Sequence, residues 1–452
     1  MSTFELAPTI ENFIQTLNDN IVNRNDDVVN FYRLLHFREG HESIALDGQW
    51  GSGKTFFVNQ VILLAKALNK KTNLPEREQI LASLNVDECF KSKFSNDYLV
   101  VYYDAWYNDN DEDPLLSVLF EICKQANKDF ILNGEILAKT GNILSQIIKM
   151  GTKIDLKEFV DSFKSDSKLA EYVTMREYND KIADLLNTIS NGKVILFIDE
   201  LDRCKPTYAV KLLERVKRYF NKDNFICVYS LNLQQLQHTI KCVYGAEFAA
   251  HKYLDRFFSL TVPIPEYSQF QCIESFIPPD LQNIPREVIH EIIMMFGFSI
   301  REIAHYSEQL STAIVDIDKF YNNMDTAFIE GKYSFLIRVY VIPLVMALRI
   351  HDIDLYYDFI NGKNKQPLMD LFNRGGVNNF ILRFVLEKVE AYDKFSDLTE
   401  EELIKGVNIL YEACFCGDIN DKSQELVTSR SYGRYKDYIL KIVGCMSDVS
   451  VK

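Results

Sequence analysis

The chain has 452 residues, 47% of them hydrophobic and 25% charged, with a formal net charge of −14 at pH 7. That length exceeds what one growing core accommodates, so two or three cooperating domains are expected, and the composition excludes long disorder. The acidic balance, without any dense Lys/Arg tract, argues against broad electrostatic capture of nucleic acid and leaves only a local basic groove open.

In chain order, the residues before Ser43 read as helical, with Phe31, Tyr32, Leu34 and Leu35 forming an apolar stripe able to cover a first strand. Ser43-Ile44-Ala45-Leu46-Asp47 is that strand. It enters Gly48-Gln49-Trp50-Gly51-Ser52-Gly53-Lys54-Thr55, and Phe56, Phe57, Val61, Ile62, Leu64, Ala65 and Leu68 then carry helical periodicity. A glycine-rich loop between a strand and a helix is the build of a phosphate-binding P-loop. Small residues let successive N–H groups curl around phosphates, Lys54 supplies a point charge, and the Thr55 hydroxyl can join the shell of Mg²⁺. The pattern predicts binding of ATP or GTP.

After a polar stretch and a short helix near Ile80 to Leu84, Tyr98 to Tyr103 reads as a second strand. It ends in Asp104-Ala105-Trp106, and Pro114 behind the acidic run Asp109 to Asp113 opens another helix. Ile131 to Thr188 reads as a helical insertion without a signature. Lys193 to Ile198 is a continuous apolar strand of the kind buried on both faces of a parallel sheet, followed by a helix over Tyr208 to Phe220 and a strand over Phe225 to Ser230. Strands alternating with helices predict a parallel α/β sheet. Beyond Pro263 and Pro265 the reading is helical almost to the end, over Ile289 to Phe296, Ile300 to Ile314, Phe335 to Arg349, Phe380 to Val389 and Leu403 to Phe415.

Met1 to Leu17 lacks a basic region followed by an apolar core, so no signal peptide is expected. Tyr333 to Ile350 comes nearest to a membrane span, but Arg338, Pro343 and Arg349 interrupt it, and it reads as a buried helix. The nine cysteines sit mostly in apolar segments without a CxxC framework, which suits reduced thiols and a cytoplasmic location. Cys414 and Cys416, the one close pair, read as a buried helical pair.

The strand over 193–198 runs into Asp199-Glu200-Leu201-Asp202-Arg203-Cys204. Ligands of open parallel sheets sit beyond the carboxyl ends of the strands, so Asp199 should land beside phosphates held by the loop. Its carboxylate is suited to Mg²⁺, and Glu200 to orienting or deprotonating a water. Asp202 and Arg203 read either as a structural ion pair or as a relay of nucleotide state. Trp50 and Trp106, the chain's two tryptophans, read as core packing beside the nucleotide rather than as base stackers.

These segments resemble the KAP-type P-loop NTPases, a branch of the larger ASCE and STAND-related NTPases. The resemblance rests on residues 48–55, on Tyr103-Asp104-Ala105-Trp106-Tyr107, on residues 198–204, on Tyr253-Leu254-Asp255-Arg256-Phe257-Phe258 and on Ser299-Ile300-Arg301-Glu302-Ile303, over roughly Phe31 to Leu310. Many members carry membrane helices between the two nucleotide motifs; none is visible here. Members often have Asp where this chain has Glu200, and Asp where it has Asn232. Asn232 resembles a polar sensor of the γ-phosphate and equally suits a helix N-cap; both roles are compatible. Arg301 resembles a sensor acting from a lid, and Arg256 a group acting across a subunit interface, each against the alternative of a surface salt bridge.

The implied organisation is an N-terminal helical segment over 1–42, a P-loop NTPase core over 43–265 with the insertion at 131–188, a helical lid over 266–320, and an all-α domain over 321–452. The implied activity is that of an ATP-hydrolysing switch using Mg²⁺, associating with itself and governing a separate effector protein, in a bacterial or phage-related conflict system. The competing readings are a nucleotide-gated scaffold with little turnover and a DNA-dependent ATPase.

Overall fold

The computed structural model describes residues 7–129, 193–220, 225–277, 284–323, 335–377, 379–386, 398–416 and 434–444. The expected insertion at 131–188 lies outside them, as does the end of the expected helix over Phe380 to Val389. The described residues fall into two compact units that divide between Tyr267 and Ser268.

The first unit, Ala7–Tyr267, is built on five parallel strands: β1 Glu42–Asp47, β2 Leu99–Asp104, β3 Val194–Asp199, β4 Phe225–Leu231 and β5 Leu260–Pro263, in the order β2-β3-β4-β1-β5. β3 and β4 are buried at every position, as their unbroken apolar runs predict for strands covered on both faces. The short β5, ended by Pro263, is a strand that the sequence pattern does not announce. Its alternating exposure over four residues leaves no apolar run to detect. At the β2 end, the Gln125 side chain donates to the Tyr102 carbonyl at 2.7 Å and accepts from the Tyr102 N–H at 3.0 Å. Backbone groups that would otherwise be open on that strand are thereby satisfied.

The helices of this unit are α1 Ile10–Asp19, α2 Asn25–Phe37, α3 Lys54–Leu68, α4 Arg77–Ser83, α5 Glu88–Phe94, α6 Pro114–Asp129, α7 Pro206–Tyr219, α8 Leu233–Tyr244 and α9 Ala250–Leu254. α3 is apolar on nearly all sides and buries ten residues, among them Phe57, Val61, Leu64 and Leu68. Such a helix needs cover on both faces. The sheet supplies one through Ile44, Leu46, Ile195 and Val228, and the N-terminal helices supply the other through Phe13, Leu17, Phe31 and Leu35. α1 and α2 are therefore packed into the core around the P-loop helix.

α2 ends without a side-chain cap of its own. Lys193, at the foot of β3, donates to the carbonyls of Leu35, His36 and Arg38 at 3.1, 2.9 and 2.6 Å. A cation there satisfies orphan acceptors and complements the helix dipole.

The second unit takes its described residues from Ser268–Lys452 and is helical: α10 Gln269–Phe276, α11 Arg286–Phe296, α12 Ile300–Asn323, α13 Ile342–His351, α14 Ile353–Ile360, α15 Gln366–Phe372, α16 Arg383–Leu386, α17 Glu400–Phe415 and α18 Arg434–Val443. A π-helical turn, Ile337–Val341, leads directly into α13, where Pro343 has no N–H to offer; the widened turn meets the proline at the helix's first positions. Leu344 to Leu348 are buried, and among the described residues no helix is long and apolar enough to cross a membrane. Thr399 and Glu402 close a capping box that starts α17, which buries Cys414 near its end, with Cys416 at the C-cap. The described cysteines are free thiols.

Replacing Lys193 by Met keeps the aliphatic stem and strips three carbonyls of their donor. The expected loss is about 1–3 kcal/mol, read as a lower urea midpoint at unchanged slope, with a Lys70→Met control near neutral.

Candidate functional site

All five strands run the same way, so Asp47, Asp104, Asp199 and Leu231 end together at one sheet edge. Residues 48–53 lie on that edge. The Gly48 N–H donates to Leu231 O at 3.1 Å, the Leu233 N–H donates to Asp47 Oδ1 at 2.8 Å, and the Ile264 N–H donates to Asp47 O at 2.7 Å. Both neighbouring strands thus fasten the loop's entry.

The loop itself curls through Gly51 at φ 77° and Gly53 at φ 82°, the left-handed conformation that glycine adopts without strain. Gly53 is the N-cap of α3 and offers no side chain to the helix's first N–H groups, which are left for a ligand. A methyl group on Gly48 would stand 2.5 Å from Ile264 Cγ2, so the cradle is filled to its wall. The buried Ser52 Oγ has no hydrogen-bond partner among the described residues. An orphaned hydroxyl, a glycine cradle and an uncapped helix start are what phosphate oxygens require, and these residues fit a nucleotide.

Lys54 donates through Nζ to the Gly48 and Gln49 carbonyls at 2.7 and 3.0 Å. Burial pulls its pKa down, against the charges of Asp202, Asp199 and Glu200 that favour the ammonium form. Thr55 Oγ1 donates to Glu200 Oε1 at 3.4 Å. Asp199 is buried, and burial pushes its carboxyl up; the neighbouring hydroxyls of Ser230, Thr55 and Tyr102 and the Glu200 N–H oppose the shift. Tyr102 Oη donates to Asp199 Oδ2 at 3.1 Å and the Glu200 N–H to Asp199 Oδ1 at 3.0 Å. Lys54, Thr55, Asp199 and Glu200 are therefore brought together at the head of α3, and the Asp199 and Thr55 oxygens are a donor set that suits Mg²⁺.

Glu200 has φ 60°, in the left-handed region; the other described non-glycine residues with positive φ are all asparagines, which tolerate it. Its carboxyl is pushed up to about 7, first by burial and then by the Asp199 charge, with Arg203 and Lys54 pulling the other way. Arg203 Nε pairs with its second oxygen, Oε2.

Asn232 caps α8 by accepting from the Gln235 N–H at 3.1 Å, and donates through Nδ2 to Gln49 Oε1 at 3.0 Å. The cap and a place beside the loop coexist in one side chain. Trp50 and Trp106 are 49% and 53% exposed, which overturns the reading of both as core packing. Each instead holds a polar partner: Trp50 Nε1 donates to Asp202 Oδ2 at 2.6 Å, and the Arg203 guanidinium lies 5.6 Å from the Trp106 ring centroid. Arg256 is exposed after α9, and among the described residues no hydrogen bond or ion pair ties its side chain to the loop. Arg301 is exposed in the first turn of α12 and belongs to the second unit.

Two contributors escaped the sequence reading. Arg24, 2% exposed, donates through Nη1 to Ser52 O at 2.7 Å and so holds the loop from the start of α2. Tyr102 is the other. An arginine in a polar connection and a tyrosine inside a strand carry no local signature.

A parallel sheet whose first strand feeds a glycine loop, with an acidic strand end beside it, is a P-loop nucleotide-binding domain. The family model of the KAP family P-loop domain matches residues 10–324, more than half of the chain, which therefore belongs to the KAP family of P-loop NTPases. No curated protein matches the chain.

The Ile264 contact makes a sharp test. Gly48→Ala is expected to cost about 1–3 kcal/mol of loop geometry, weakening nucleotide affinity about tenfold. Ile264→Ala in the same chain opens the wall and should restore most of that affinity, measured by equilibrium dialysis with labelled nucleotide.

Proposed function

We propose that the chain is an ATP-hydrolysing switch whose nucleotide state governs a partner effector protein. The observation that carries the reading is the meeting of two distant segments: the Thr55 hydroxyl, at the head of the loop's helix, reaches Glu200 at the tip of β3. Hydrolysis of a phosphoanhydride is largely a matter of positioning and of stabilising charge, and this edge provides both.

The Gly51 to Gly53 backbone and the free start of α3 bind phosphate oxygens, and Lys54 neutralises charge on them. Thr55 and Asp199 would hold Mg²⁺, which supplies Lewis-acid stabilisation of the phosphoryl oxygens when bound. Tyr102 fixes the rotamer of Asp199 from behind. Glu200 takes the proton of the attacking water, and Asn232 offers an amide to the same region without adding charge. The products are ADP and phosphate. The reading assigns charge stabilisation at the γ-phosphate to Arg301 within the chain and to Arg256 from a neighbouring copy, which an exposed side chain permits.

One observation favours the alternative of a nucleotide-gated scaffold with little turnover: both Glu200 oxygens are engaged, one by Thr55 and one by Arg203. Steady-state phosphate release separates the two. On the switch reading, Lys54→Ala abolishes binding of labelled ATP, and Glu200→Gln keeps binding while turnover falls about 10²–10⁴-fold. Tight ATP binding without phosphate release by the unaltered chain overturns the enzyme reading, and tighter binding of GTP than of ATP overturns the base assignment. Arg301→Ala and Arg256→Ala are each expected to lower turnover at unchanged ATP affinity; loss of affinity instead removes them from the catalytic role.

A further inference from the structure

Both tryptophans of the chain converge on the four residues that carry Glu200. Trp50 belongs to the phosphate loop and bonds Asp202 Oδ2 through its indole N–H at 2.6 Å; Trp106 follows β2 and underlies Arg203, whose Nε pairs with Glu200. Asp202 and Arg203 are adjacent in a single 3₁₀ turn, Leu201–Arg203, that begins at Glu200 itself. A path of contacts therefore runs from the loop through Trp50, Asp202 and Arg203 to the Glu200 carboxylate.

Packing does not account for these contacts. The indoles leave about half of their surface in solvent, whereas Asp202 is only 6% exposed. Its second oxygen, Oδ1, has no hydrogen-bond partner among the described residues, so the indole N–H is the hydrogen bond that this buried carboxylate makes there. Burying a carboxylate with so few donors is costly, and breaking its bond to Trp50 removes the one side-chain donor it has among the described residues. The arrangement holds the turn in register with the loop rather than stabilising the core.

We propose that Trp50 and Asp202 are positioning residues that couple the shape of the phosphate loop to the orientation of Glu200, with Trp106 serving as the platform that keeps Arg203 against it. In the described state the coupling leaves Glu200 held between Thr55 and Arg203. A displacement of the loop moves Trp50, and the shared turn transmits that displacement to the Arg203–Glu200 pair. The inference rests on the reading of this edge as an ATP-hydrolysing site.

The test uses the full chain with Trp50→Phe, Asp202→Ala, the Trp50→Phe/Asp202→Ala double variant and Asp202→Asn. Phe keeps an aromatic ring and loses the donor; Asn keeps an acceptor. Each single variant is expected to lower kcat about tenfold with ATP affinity changed by less than about threefold, and the double variant to be no worse than either single, the mark of one shared interaction. Asp202→Asn should recover most of the loss. Indole emission, followed as ATP is added in EDTA, is expected to change in the unaltered chain and to lose that change in Asp202→Ala, which retains both tryptophans. Multiplying effects in the double variant, no recovery in Asp202→Asn, or a loss confined to the urea midpoint would each overturn the coupling. Failure of the unaltered chain to bind or hydrolyse ATP overturns the underlying site assignment instead, so the two failures are distinguishable.

Discussion

Crowding two buried carboxylates and a third, partly buried one around one ammonium at the end of a parallel sheet is the constraint from which the rest of this molecule follows. Asp199, Glu200 and Asp202 stand within electrostatic reach of Lys54, and burial resists the charged form of Lys54, Asp199 and Glu200. Such a cluster persists only where hydrogen bonds hold its oxygens and where the scaffold prevents relaxation. Tyr102, Thr55, Trp50, Arg203 and the Glu200 N–H are the groups that do this, and they come from three separate stretches of chain. The acidic edge is in this sense a costly part of the fold that its neighbours hold in place, with Asp202 Oδ1 left without a hydrogen bond among the described residues.

The support explains features that would otherwise look incidental. α3 carries the loop at its head, and its all-round apolar surface obliges the chain to wrap it with α1 and α2. That wrapping is what delivers Arg24 to the Ser52 carbonyl. Lys193 closes the far end of α2, so a single helix is tied at one end to the phosphate loop and at the other to the foot of the strand bearing Asp199. The left-handed Glu200 belongs to the same logic: a residue without glycine's freedom stands at φ 60° between the end of β3 and the 3₁₀ turn, a conformation its surroundings have to sustain.

The sequence made the sheet and the loop legible because their signals are local. β3 and β4 are unbroken apolar runs, and the loop's glycines, lysine and threonine are required by the chemistry of phosphate contact at fixed spacing. Lys54 and Thr55 follow from that spacing, Asp199 and Glu200 from the acidic end of an apolar strand, and Asn232 from the family resemblance alone; the structure places all five beside the loop. What stayed hidden depends on distance in three dimensions. Arg24 acts on a residue 28 positions away and Tyr102 on one 97 positions away, and neither sits in a pattern of its own. The tryptophans were misread for a related reason: residue type suggests burial, but their loops place them at the rim, where an indole N–H and a ring face find polar partners.

The pairing of charges at the edge also bears on why an arginine and a lysine are distributed as they are. Lys54 donates to carbonyls of its own loop, so its direct hydrogen-bond partners are dipoles, with the carboxylates acting on it through space. Arg203, by contrast, is committed to Glu200 by a direct pair. Of the two cations, the one bound only to carbonyls exchanges its partners for phosphate oxygens at small cost, since carbonyl contacts are weaker than a charge-assisted pair. Glu200 is paired with Arg203 across one turn, and among the described residues the hydrogen bond that reaches the turn's buried carboxylate, Asp202, comes from the indole of the phosphate loop.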